Sequence, residues 1–382
     1  GHVVDPSWQY AVELSYQQFF GTNVNSAGGS AYTAQTASPY ANGGGVSGGD
    51  NYAGSFSLEN AWIRKVLAHG FSLQVGQFKS PLLREWMVSS RQQLAVERSL
   101  VNTLFSTGWT QGIELNWESD VVRALASFND GANNANLGSV SGSQVAYFTN
   151  SGAGFTQWAA TARVEWKPIG TWSQFDFMNS MRGESQGLLL GAAVNLQRGG
   201  QQDDPATANP DPAENGNADA SYVTWTADAT WQLGGASVMG AWMMNTAYDQ
   251  SNGLASINTY GALVQGSVFI TDAVELFARW EWYCIANSVG LPATNRINNN
   301  ATNTVFGNQI WNAAVNNIGT VGGNWYLSGR ALKFTADVGV AWNPVTFQSG
   351  LFGQDIAGAD YRVEGAGGGG QIVGRAQVQL LF

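Results

Sequence analysis

The chain has 382 residues with a formal net charge of −10; 12% are charged, 12% are aromatic, and there are 48 Gly, 16 Trp, 2 His and 1 Cys. The acidic balance argues against a nucleic-acid partner, which needs clustered basic residues, and so few His and Cys exclude a His-based triad, a His-rich metal site or a Cys cluster. Charge is about half the ~25% usual in soluble domains, yet no window offers the roughly 18 consecutive apolar residues of a spanning helix.

The opening residues, Gly1 to Pro6, carry no basic segment followed by an apolar one, so the chain reads as mature, its signal peptide removed. From Trp8 to Phe20, Trp8, Tyr10, Val12, Leu14 and Tyr16 alternate with Gln9, Glu13, Ser15 and Gln17. A period of two marks a strand with one apolar face. Phe56 to Leu67 and Phe71 to Lys79 form a hairpin around Ala68-His69-Gly70. Gly108 to Glu118 and Val121 to Asn129 pair across Ser119-Asp120. Gln157 to Lys167 sets Trp158, Val164 and Trp166 against Arg163, Glu165 and Lys167, and Gly187 to Gln197 is a weaker strand. Tyr222 to Leu233 and Ala236 to Asn245 flank Gly234-Gly235, a turn dipeptide. Thr259 to Ile270 with Ala273 to Ala286, and Gly319 to Leu327 with Ala331 to Trp342, give two further hairpins. Gln371 to Phe382 alternates to the terminal aromatic.

The connections alternate too. Short turns (68–70, 119–120, 234–235, 271–272, 328–330) interleave with long Gly/Asn/Ser/Asp-rich loops near 21–53, 80–107, 130–156, 198–220, 287–318 and 343–370. Only 168–185, a long segment where a short turn is expected, has no place in the pattern. Trp8, Trp117, Trp166, Trp231 and Trp325 fall near one rim, and Trp109, Trp158, Trp225, Trp242 and Trp342 near the other, as aromatic girdles do. Glu13, Glu59, Lys65, Glu114, Arg123, Arg163, Glu165, Lys167, Asp228, Glu275, Arg279, Glu281, Lys333, Asp337 and Arg375 take the parity opposite to the apolar residues. Facing lipid at mid-depth would cost them up to ~2–4 kcal/mol each, so they are expected to face a watery lumen. The expected fold is all-β: one transmembrane antiparallel β-barrel of 14–16 strands over 1–382, with short periplasmic turns, long extracellular loops and outer-membrane lipid around it.

The least generic stretch runs from Gly76-Gln77-Phe78-Lys79 through Glu85, Ser89-Ser90 and Arg91 to Glu97-Arg98-Ser99-Leu100. With Leu58-Glu59-Asn60-Ala61, Asn129-Asp130-Gly131 and Gly323-Asn324-Trp325-Tyr326-Leu327, it resembles the phosphate-selective porin O and P family. The resemblance implies a homotrimer in the bacterial outer membrane, with the 80–107 loop folded into the lumen as the constriction. It places Glu59, Ser89, Arg91 and Arg98 at the narrow point. The residues themselves add Lys79 and Arg84 to the eyelet and Arg123, Arg163 and Glu165 to the wall. Two departures weigh against phosphate selectivity: Trp86 stands where anion-selective members have Lys, and the residues before Trp8 are too few for the hairpin whose arginines draw anions in.

The expected function is therefore a porin, without enzymatic activity or cofactor, passing small hydrophilic solutes or ions, with anion preference one form of it. Asp203, Asp204, Asp211 and Glu214 could hold Ca²⁺ loosely, although a solvated acidic loop accounts for them as well. A structural barrel plugged by its loops, anchoring an envelope or surface assembly, is the alternative. A sugar channel with Trp86, Trp109 and Tyr147 as a stacking track is a third reading.

Overall fold

Strict alternation commits each segment to an extended strand with two unlike faces, and the computed structural model of the chain has that architecture. It describes residues 1–3, 5–19, 53–131, 156–199, 220–249, 257–286, 315–343, 345, 361 and 370–381. Among these the strands are β1 (His2–Val3), β2 (Asp5–Phe19), β3 (Ala53–Val66), β4 (Phe71–Lys79), β5 (Trp109–Glu118), β6 (Val122–Asn129), β7 (Thr156–Ile169) and β8 (Gly187–Gly199). The second half holds β9 (Ala220–Gln232), β10 (Ala236–Asp249), β11 (Ile257–Phe269), β12 (Val274–Ala286), β13 (Val315–Ser328), β14 (Leu332–Ala341) and β15 (Gln371–Leu380). All pair in sequence order in one sheet. Fourteen of them are long; the short β1 lies along the free edge of β2, where Gly1 and Tyr10 exchange two backbone hydrogen bonds of 3.0 Å. Each successive pairing from β2 to β15 is antiparallel, so the two end strands run in opposite senses, as an up-and-down barrel needs. No ladder joins β15 to β2 among the described residues.

The two faces differ as the alternation requires. Val238, Val264, Val268, Leu276, Val338, Ile372 and Val378 are exposed on the outer face. So much exposed apolar surface on strands fits a hydrocarbon surround. Trp8, Trp166, Trp231 and Trp325 are exposed toward the end of the short turns, and Trp225, Trp242 and Trp342 toward the other. Trp109 leaves the girdle: it is half-buried and meets Trp86 edge-on, with ring centroids 4.8 Å apart.

One local irregularity changes which residues face inward. Glu13 pairs with Asn60 but Leu14 pairs with Leu58, leaving Glu59 in a β-bulge. An extra residue switches the parity of everything beyond it. Gln9 therefore pairs with Arg64 on the inner face and Trp8 with Lys65 on the outer one. Lys65, expected in the lumen, instead lies with its Nζ 4.7 Å from the Trp8 ring and donates to Ser7 Oγ. Gln77 Nε2 fastens the bulge, donating to the carbonyls of Leu58 (2.6 Å) and Glu59 (3.2 Å).

Between β4 and β5 the chain turns inward through α1 (Arg84–Met87), a 3₁₀ turn (Ser90–Gln92) and α2 (Leu100–Phe105). Ser99 caps α2 by accepting from Asn102 N at 2.9 Å. Leu82, Leu83, Trp86, Leu94, Leu100, Val101, Leu104 and Phe105 then form one apolar cluster with the inward-facing Met239, Met243, Leu263, Phe277, Tyr283 and Ile318 of β10 to β13. Gly261 of β11 makes the docking sterically feasible, since a Cβ there would sit 2.6 Å from Phe105 and 2.8 Å from Val101. The 168–185 segment, unplaced by sequence, contains a 3₁₀ turn (Trp172–Asp176) and packs Met178 into the same cluster. The barrel core is thus inside the barrel, between the wall and these two insertions.

Candidate functional site

Most charges expected to line a watery lumen are buried beneath the loop, because a buried charge persists only when paired and hydrogen-bonded. Arg163 is fully buried. It donates from Nη1 and Nη2 to Asp228 at 2.8 Å each, from Nε to Glu165 at 2.8 Å, and to the Leu82 carbonyl at 3.3 Å. The wall carries no side chain at Gly191, where a Cβ would approach Arg163 Nη2 to 2.2 Å. Arg279 faces Glu281 at 2.9 Å and Glu85 at 3.6 Å and donates to the Glu97 carbonyl at 2.8 Å. Arg375 bonds Asp337 at 2.7 Å, and Asp337 accepts from Val96 N at 2.9 Å. Lys333 donates to the Gln93 carbonyl at 2.8 Å, while Glu281 accepts from Val101 N at 3.2 Å. In this way wall charges satisfy backbone groups of a segment that forms few internal backbone bonds.

Within the loop, Glu85 accepts from Ser99 N at 3.0 Å and from Ser99 Oγ. Arg98 lies 4.7 Å from the Trp86 ring centroid and donates to the carbonyls of Val88 (2.9 Å) and Glu85 (3.3 Å). Arg84 is buried and donates to the Phe175 carbonyl. Burial lowers its pKa below the usual arginine range, with Glu165 the largest opposing influence.

The open space lies to one side. A cavity of about 480 Å³, a volume typical of small-molecule sites, runs between the inner face of β2 to β6 and the near flank of the loop. Lys79, Arg91, Glu13 and Asn60 line it toward the long-loop side, and Gly70, Glu118, Arg123 and Asp176 toward the short-turn side. Midway, Arg64 lies 5.0 Å over Trp62 and donates to Gln74 Oε1 at 3.0 and 2.6 Å, in a cross-strand row that continues to Glu114. Arg91 reaches Glu13 at 4.0 Å. Arg123 bonds Glu118 at 2.8 Å, approaches Glu165 at 3.5 Å and stacks 4.2 Å over Trp172. Burial raises the Asp176 carboxyl, against the pull of Arg123 and Arg84.

Of the residues expected at the constriction and wall, the cavity brings together Lys79, Ser89, Arg91 and Arg123. Glu59 adjoins it in the bulge and acts electrostatically on Lys79. Arg84, Arg98, Arg163 and Glu165 are placed elsewhere: they are committed to holding the loop and its wall, and do not line the cavity. Trp86 offers no stacking track, since Lys79, Arg98 and Trp109 surround its ring. Sequence reasoning missed Arg64, hidden by the bulge, and Asp176, in the unplaced segment. Glu118, across a two-residue turn from Arg123, was legible and overlooked. Tyr147 and the acidic loop residues Asp203, Asp204, Asp211 and Glu214 lie outside the described residues, as does Phe382.

A β-barrel with a lipid-facing outer surface, an inward-folded loop and a charged cavity beside it fits a barrel channel of the outer membrane. The family described as phosphate-selective porin O and P matches residues 30–341. The chain belongs to that family and is a porin of the bacterial outer membrane. Similar solved structures include outer-membrane expressed OmpT of Vibrio cholerae, 12% identical, covering 85% of this chain and 82% of that one, with a TM-score of 0.49. An anion-selective porin from Comamonas acidovorans is 10% identical, covers 85% of this chain and 79% of its own, and scores 0.46. A trimer form of the Vibrio OmpT is 10% identical, with coverages of 85% and 82% and a score of 0.48. Comparison with curated protein sequences gave no match.

Proposed function

We propose that the chain is a passive pore for small hydrophilic solutes and ions with a preference for anions, conducting through the eccentric conduit between β2–β6 and the 80–107 loop. The observation that carries this reading is that Lys79, Arg64 and Arg123 of the wall and Arg91 of the facing loop line a single cavity, interspersed with Glu13, Glu114, Glu118 and Asp176. A local row of cations sets the potential an ion meets at close range, whatever the net charge of the whole chain. Catalysis has no part in this reading, and the assembly is read as a homotrimer.

Planar-bilayer recording on the purified protein tests it. Ohmic steps are expected, with a reversal potential in a KCl gradient displaced toward chloride. Arg91 is exposed and its side chain makes long contacts, 4.0 Å to Glu13 and 3.4 Å from Nε to Ser89 Oγ, so Arg91→Ala should move that potential toward potassium while leaving folding intact.

A structural barrel without conductance is the competing reading, and one observation favours it: residues of the loop and of the 168–185 segment pack in one apolar cluster against the inner wall. Absence of any steps from folded, correctly oligomeric protein would decide for it.

A further inference from the structure

Strands β7 and β8 are neighbours, and a few residues would join them; the chain uses residues 170 to 186. The extra length is not idle. At one end, Trp172 Nε1 donates to the Ser119 carbonyl in the β5–β6 turn at 2.8 Å. At the other, Arg182 Nη2 donates to the Phe269 carbonyl at the end of β11 at 2.7 Å, Asn179 Nδ2 donates to Tyr326 Oη on β13 at 2.7 Å, and Arg330 of the β13–β14 turn donates to Glu184 at 2.7 and 3.1 Å. Between them, the Gly235 N–H donates to the Ser180 carbonyl at 3.1 Å, and the Met178 N–H to the Gln92 carbonyl of the inner loop at 3.1 Å. Strands β8 and β13 are five places apart around the wall, so a segment bonded at both has crossed the mouth.

What the segment leaves open is the β3–β6 side, where Gly70, Glu118, Arg123 and Asp176 line the end of the conduit. Arg123 is already shared between Glu118 and Glu165, while Asp176 joins neither pair. We propose that residues 170–186 form a floor with one lateral opening, and that Asp176 determines the charge solutes meet there, opposing multivalent anions at the periplasmic end of a conduit that is basic above. This rests on the pore reading given above. Arg123, Arg84 and Glu118 are the charged groups acting on Asp176.

Asp176→Asn, compared with Asp5→Asn at the exposed start of β2, tests the assignment by reversal potential in a KCl gradient. A unit charge about 6 Å from a passing ion in water changes its local concentration about threefold, upward for the counter-ion and downward for the co-ion, so the chloride-to-potassium permeability ratio should rise by up to about tenfold in Asp176→Asn alone. A second variant, Asp176→Cys in a Cys284→Ser background, takes thiol reagents of either sign from the periplasmic side. Cationic and anionic adducts should displace the reversal potential in opposite directions. Conductance with no displacement in either variant would overturn the role of Asp176 and leave the pore standing. Folded wild-type protein that passes no current would overturn both.

Discussion

Arg163 offers a direct measure of how firmly the wall holds the inner loop. Arg163→Met removes three charge-assisted hydrogen bonds of 2.8 Å and the 3.3 Å bond to Leu82, leaving Asp228 and Glu165 buried with one cation fewer. Breaking a buried pair by deleting one partner costs about 3–5 kcal/mol. Leu82 sits at the start of the loop, so part of that loss should appear as weakened docking rather than as global unfolding. Two readouts follow: a lower temperature for loss of the compact, unheated-gel form, and single-channel steps that become larger and noisier as the loop detaches. The triple change Arg163→Met, Asp228→Leu, Glu165→Gln removes the whole buried cluster and should recover most of the stability. If Arg163→Met alone leaves both thermal behaviour and conductance unchanged, the assignment of Arg163 as the loop's anchor is wrong, and so is the burial argument built on it.

Parity at the bulge makes a paired prediction. Arg64→Gln should lower anion preference, whereas Lys65→Gln, one residue away, should leave the reversal potential where it is. Gly261→Val would press its Cβ into Phe105 and Val101; overpacking of this kind costs about 1–3 kcal/mol, and it should raise conductance by displacing α2. Arg98→Ala should destabilise the loop, by the loss of its stack on Trp86 and two backbone bonds, more than it alters selectivity; a selectivity change with unaltered stability would count against this role. Burial raises the Asp176 carboxyl, so it discharges at a higher pH than an ordinary carboxylate as the periplasmic side is acidified. Anion preference should therefore begin to rise earlier in wild type than in Asp176→Asn, as reversal potentials taken down the acid range will check.

Strand content and facing were legible because lipid imposes one rule on every outer residue: Ile372, Val378, Val338 and Trp242 had to be apolar whatever the loops did. The inner face obeys no such rule. Arg163, Arg279 and Arg375 look, as sequence, like any charges beside water, and only their partners at distant positions show that they are packed. Arg64 was hidden for another reason. A bulge leaves no mark on composition, yet it exchanges the faces of the residues of β3 on one side of Glu59 relative to those on the other. Trp86 and Leu94 of the loop after β4 pack with Met239, Leu263 and Phe277 of the wall. Arg84 and Arg98, expected at the eyelet, instead donate to the carbonyls of Phe175 and Val88.

The bond from Val96 N to Asp337 joins residues 241 apart in the chain, and that from Lys333 to Gln93 joins residues 240 apart. Long-range closures of this size form late. During insertion into the membrane, the early strands must therefore carry an undocked hydrophobic segment until the C-terminal hairpins arrive. Mutants stalled at that stage would leak, and antibiotic hypersensitivity in cells expressing them would reveal the order of assembly.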